Sequence, residues 1–130
     1  MKIQPTLKYT NSDEWVAVEG KTATLGVSDY AQDQLSDVVF VEVSANVGDI
    51  IKKNSAVATV ESVKAASDVI SPVSGKVIAV NEVLSTTPEQ VNSDPFGAAW
   101  LLKVELSDPA ELDNLMDAEA YEKYCADRSH

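Results

Sequence analysis

Apolar residues along the chain fall in short runs that alternate with polar ones or are rich in Val, Ile and Thr. That periodicity predicts strands over residues 15–19, 22–27, 38–43, 56–60, 76–80 and 100–106. A further strand is expected to start near Asp68-Val69-Ile70. Turn signals separate the runs: Glu19-Gly20-Lys21, Val47-Gly48-Asp49, Lys53-Asn54-Ser55, Ser74-Gly75 and Asp94-Pro95. Gly75 is expected to serve a turn that needs positive φ. Many short strands at this spacing predict an all-β sandwich or barrel.

Helices are expected to be few and peripheral. Ser28 can cap a short helix through Tyr30, Gln32 and Leu35. Asp108 can cap another, with Pro109 in the first helical position and Glu111 completing a capping box. Asp117 can start a last helix over 118–125. The expected result is one β core with a C-terminal helical tail.

The middle of the chain carries a weak internal echo. Val47-Gly48-Asp49-Ile50-Ile51 leads to Val57-Ala58-Thr59-Val60-Glu61, and Val73-Ser74-Gly75-Lys76-Val77 leads to Val80-Asn81-Glu82. The period is about 26 residues, within the range of structural repeats. Two readings stand at this point: a pseudo-twofold pair of hairpin units, or chance similarity among Val-rich strands.

Composition narrows the class. The 130 residues are 45% hydrophobic and 24% charged, an ordinary balance for a single domain spanning 1–130. A chain of this length buries enough surface to fold without a disulfide or a metal. The lone Cys125 excludes an internal disulfide framework, and the lone terminal His130 excludes a Cys/His zinc cluster. The net charge of −11, from 21 acidic and 10 basic residues, repels nucleic acid and anionic membrane, and it equally serves plain solubility. No apolar stretch reaches the roughly 18 residues of a membrane span. The start, Met1-Lys2-Ile3-Gln4-Pro5, lacks a secretory or transit pattern. The expected compartment is the bacterial cytoplasm.

No catalytic set is apparent. The single His is terminal, and the five glycines form no phosphate loop. Asp13 and Glu14 could be imagined as a glycosidase pair, but surface carboxylates are common in a chain this acidic. The chain is read as a non-enzyme. Trp15 and Trp100 are read as core, and Cys125 as a plain helix residue.

Between the echoed units lies Glu61-Ser62-Val63-Lys64-Ala65-Ala66-Ser67-Asp68. A strand runs up to Val63 and the next begins near Asp68, so Lys64 falls at or near a hairpin tip among small residues. An exposed tip keeps an ammonium hydrated and accessible. Such a lysine is either a solvated turn residue or a target for acylation by an enzyme that grips the hairpin.

The wider pattern closely resembles the H-protein family of the glycine cleavage system, whose members carry lipoate. The resemblance covers almost the whole chain. It starts at Leu7-Lys8-Tyr9-Thr10 and Glu14-Trp15-Val16, and continues through residues 23–32 and 37–43. It includes Glu61-Ser62-Val63-Lys64-Ala65, Ser71-Pro72-Val73-Ser74-Gly75, residues 91–97, Trp100-Leu101 and the tail from Leu112 to Tyr121. Glu-Ser-Val-Lys-Ala followed by Ser-Pro-Val-Ser-Gly is far more specific than a single short motif. Two departures are visible. Ser44-Ala45-Asn46 stands where a Pro-containing link one residue shorter is usual, and Asp13 stands where a His is common.

The resemblance implies a flattened barrel or sandwich hybrid of the biotinyl/lipoyl carrier type, with lipoate joined covalently to Lys64 by a lipoate ligase or a lipoyl/octanoyl transferase. Glu61 is assigned to recognition by that enzyme. The resemblance also implies three partners. Glycine decarboxylase (P protein) loads the aminomethyl group of glycine, and the tetrahydrofolate-dependent aminomethyltransferase (T protein) removes it. Dihydrolipoyl dehydrogenase (L protein) then reoxidises the carrier. The chain is expected to be a monomer and to use no metal.

In the family the loaded arm is thought to fold into a cleft, and the matching positions here are Ser12, Glu14 and Asp68. A carboxylate beside an amine favours its protonated form, which withholds the lone pair that would expel the thiolate and release formaldehyde. Rival readings fit less well. Biotin carriers place Met on both sides of the lysine, where this chain has Val63 and Ala65. Lipoyl domains of 2-oxoacid dehydrogenases have Asp before the lysine and are shorter. A small β-sandwich enzyme or passive binder would leave Lys64 unmodified.

Overall fold

The computed structural model of the protein describes residues 2–128; His130 lies outside the described residues. Strand β1 (Lys8–Tyr9) leads into β2 (Glu14–Glu19) and β3 (Thr22–Val27). Glu19 pairs with Thr22 across a turn of Gly20 and Lys21, and Gly20 takes φ 63° there, as a tight hairpin turn requires. Helix α1 (Asp29–Leu35) follows, with the Ser28 hydroxyl accepting from the N–H of Ala31. Then come β4 (Val38–Val43), β5 (Ile50–Ile51), β6 (Ala56–Ser62), β7 (Ala66–Ile70) and β8 (Gly75–Val80). The short helix α2 (Gln90–Ser93) precedes β9 (Leu102–Leu106), and helix α3 (Ala118–Arg128) ends the described chain.

Two sheets result. One has the order β1-β2-β3-β9-β8-β5 and the other β4-β6-β7. Val16, Leu25 and Val104 of the first share one buried cluster with Val41, Val60 and Val69 of the second. Alternation puts these aliphatic side chains inward on each strand, and truncating the larger Leu25 to Ala costs about 2–5 kcal/mol. A second cluster of Tyr9, Trp15, Tyr121 and Cys125 fastens α3 to the first sheet. The fold is mainly β, sandwich- and barrel-like, with a C-terminal helix.

Several expectations need correction. Gly75 is not a turn glycine: it pairs with Leu106 and Ile51 inside a sheet. A Cβ there would lie 2.0 Å from the carbonyl oxygen of Glu105, so close backbone approach is what requires glycine. Trp100 and Leu101 precede β9, although Leu101 is fully buried and its N–H donates to the Leu25 carbonyl at 2.8 Å. The segment Pro109–Asn114 is a 3-10 helix. Asp108 does accept from the N–H of Ala110, but Glu111 closes no capping box. Its carboxylate instead accepts from the N–H and hydroxyl of Ser74, at 2.7 and 2.8 Å.

The echoed segments do not form two separate hairpins. Ile50 and Ile51 of the first pair directly with Lys76 and Gly75 of the second. The chain thus passes from the large sheet (β5) to the small one (β6), turns, and returns through β7 to β8. In the link before Val47, Ser44 and Ala45 both donate to the Val57 carbonyl, and Ala45 is buried.

Candidate functional site

The β6–β7 hairpin reverses at Val63, Lys64 and Ala65. Ser62 builds that reversal. Its N–H donates to the Ala65 carbonyl at 2.7 Å, while its hydroxyl oxygen accepts from the N–H groups of Lys64 and Ala65 at 3.1 and 3.0 Å. A serine that folds its own turn in this way is a local signal, and sequence reasoning had passed over it. The Val63 N–H donates to the Asp37 carbonyl at 3.0 Å, tying the tip to the start of β4.

Lys64 is exposed, with Ala65 and Ala66 beside it. Its ammonium donates to the Gln34 carbonyl at 3.2 Å, in the last turn of α1, where helix carbonyls favour a cation. Glu61 is also exposed and pairs with Ala66 on the neighbouring strand.

A cleft of about 440 Å³ opens elsewhere, between the β1–β2 connection and the end of β7; Ser12, Glu14, Lys53, Ile70 and Tyr124 are among its walls. Glu14 is 2% exposed. One carboxylate oxygen accepts from the hydroxyls of Thr10 (2.6 Å) and Ser12 (2.5 Å), and the other from the N–H of Ile70 (3.3 Å). Burial pushes the carboxyl pKa above its ordinary value; these three donors oppose the rise and the nearby charge of Asp13 adds to it. Thr10 was not foreseen as part of the site.

Ser12 and Glu14 are therefore joined directly. Asp68 is not in that bonded group: it is exposed and accepts from the Thr59 hydroxyl at 3.2 Å. It does share the outer face of β7 with Ile70, because Val69 between them is buried. That face runs from Ala66 at the tip to Ile70 at the cleft, about 13 Å at strand rise.

These two sheets, with a hairpin of the smaller one presenting Lys64, are the architecture of a biotinyl/lipoyl carrier-type domain. The chain belongs to the glycine cleavage H-protein family: the family profile described as "Glycine cleavage H-protein" matches residues 7–128. It is 52% identical over 119 residues to the glycine cleavage system H protein of Thermotoga maritima, covering 92% of this chain and 95% of that one. It is 51% identical over 119 residues to the glycine cleavage system H protein 2, mitochondrial, of Arabidopsis thaliana, covering 92% and 76%. The crystal structure of a glycine cleavage system H protein from Mycobacterium marinum matches 98% of this chain and 100% of that chain, with TM-score 0.84 and 28% identity. No described helix is long and apolar enough to cross a membrane.

Proposed function

We propose that this protein is the lipoyl-bearing shuttle of a glycine cleavage system, a single non-catalytic carrier domain of the bacterial cytoplasm with its lipoate on Lys64. The observation that carries this reading is the exposed Lys64 ammonium at the tip of a serine-built hairpin, between Val63 and Ala65. The site suits an amide-linked arm: the amine is reachable, it donates to a backbone carbonyl, and Ala65 and Ala66 leave room for an enzyme to close around the tip. Lipoate supplies reversible thiol–disulfide chemistry and a long tether, which raises the effective concentration of the cargo at each partner.

Under this reading glycine decarboxylase gives the aminomethyl cargo, the aminomethyltransferase takes it, and dihydrolipoyl dehydrogenase restores the disulfide. Glu61 lies on the strand that leads into the tip and offers a carboxylate to the lipoylating enzyme. Glu14, Ser12 and Asp68 serve the loaded state. The outer face of β7 leads from the tip to the cleft, so an extended lysyl-lipoyl arm can lie along it past Asp68. In the cleft an ammonium would offset the burial of the Glu14 carboxylate, and each charge favours the other. Ser12 and Thr10 hold that carboxylate in place.

The test is glycine-carboxylate exchange with bicarbonate, measured with glycine decarboxylase present. The lipoylated protein should support exchange, and Lys64→Arg should support none. Robust exchange by Lys64→Arg would overturn the carrier reading.

A further inference from the structure

Helix α3 grips the loop that carries Ser12 and leads into Glu14, from both sides of Ser12. The Tyr124 hydroxyl donates to the Asn11 carbonyl at 3.1 Å. The Tyr121 hydroxyl donates to the Asp13 carboxylate at 2.8 Å, and the Arg128 guanidinium bonds the same oxygen. Tyr121 is fully buried and stacks on Tyr9 with ring centroids 4.4 Å apart. Its oxygen lies 2.6 Å from the Ser28 hydroxyl. Since the Tyr121 proton goes to Asp13, the Ser28 proton goes to Tyr121, and the Ser28 oxygen remains free to accept from Ala31. Every proton in this chain of bonds has a place. Arg128 is held between the rings of Tyr30 and Tyr124, at 4.0 and 4.4 Å.

Asp13 itself is held at φ 75°, a left-handed conformation that residues other than Gly, Asn and Asp rarely adopt. Its own carbonyl accepts from the Ser28 N–H at 2.8 Å. A residue in such a conformation persists where its surroundings over-determine it. Here they do so one position from each of two side chains in the cleft.

We infer that α3 is a brace for the cleft, in which Tyr121 and Arg128 act through Asp13 as positioning residues for Ser12 and Glu14. The brace rests on the proposed role of Ser12 and Glu14 only for its effect on cargo; its effect on the loop is independent of that role.

Two readouts separate these. The first is amide hydrogen exchange at Ile70, whose N–H donates to the Glu14 carboxylate. The second is formaldehyde release from purified aminomethylated protein without the folate enzyme. Tyr121→Phe keeps the buried ring and removes the donated bond. It should speed both readouts by about five- to tenfold, the size of one lost hydrogen bond, while core amides such as Val60 stay protected. Should Tyr121→Phe fold poorly, Asp13→Gly serves instead, since it permits the positive φ but offers no carboxylate. Asp13→Asn keeps an acceptor and tolerates the conformation, so it should stay close to the parent in both readouts. Unchanged Ile70 exchange in folded Tyr121→Phe and Asp13→Gly overturns the brace. Faster exchange with unchanged release upholds the brace and removes Glu14 from the protective role.

Discussion

The Lys64 tip and the Glu14 cleft hold the two ionisable groups of greatest interest, and they treat them oppositely. Lys64 is exposed, bound to a backbone carbonyl, and followed by two alanines. Glu14 is buried, accepts three hydrogen bonds, and sits where burial raises its carboxyl pKa. A group that must be modified and then swing between partners needs access and few local ties. A group that must hold a charge still needs donors and a low-dielectric wall. Glu14 also has a structural duty, because its bond to Ile70 links β2 of one sheet to β7 of the other.

The largest expected effects come from exchanging the fates of the two regions. Lys64→Arg should eliminate lipoylation while leaving the fold intact, as seen by circular dichroism. Glu14→Gln with Asp68→Asn should leave lipoylation complete but raise formaldehyde release from the loaded protein about tenfold, which corresponds to a change of about one pKa unit in the cargo amine. An unchanged release rate in the folded double variant would leave plain burial of the arm as the better explanation.

A smaller effect concerns pH. Glu14 titrates above the ordinary carboxyl value of 4.5 in the folded chain, so the unfolded chain loses that proton first as pH rises. The stability associated with Glu14 is then full below its ordinary value and is lost as pH rises through its raised one. Urea unfolding of parent and Glu14→Gln across this range should show the parent losing ground with rising pH. A parent curve that gains ground would contradict the burial of that carboxylate.

The smallest effect should be that of lipoate on the fold. The tip lies outside the buried cluster, so apo and holo proteins should melt within a few degrees, a difference of about 1 kcal/mol or less. A cooperative transition confined to the holo form would erase the distinction between the two regions.

The tip was largely legible in the sequence because its logic is local. The run 56–60 falls within β6, and β7 starts at Ala66, two residues before the start expected near Asp68, which leaves Lys64 at the reversal. The cleft was less legible because it is assembled from distant pieces. Nothing near Glu14 in the chain announces that the N–H of Ile70 will donate to it, nor that Tyr121 and Arg128 will reach Asp13. Glu111 shows the same limit from the other side. Its spacing from Asp108 satisfies a capping-box pattern, yet Ser74 supplies two donors that win its carboxylate. The two-residue strands β1 and β5 carry too few residues for any periodicity to show.

Under the carrier reading the exposed tip, and no other lysine, takes the acyl group. Lipoylating the purified protein with a lipoate ligase, followed by intact mass and peptide mapping, tests it directly. The expected result is one lipoyl group per chain, located on Lys64, and none on Lys64→Arg. A lipoyl group on Lys52, Lys53 or Lys76 of that variant would contradict it.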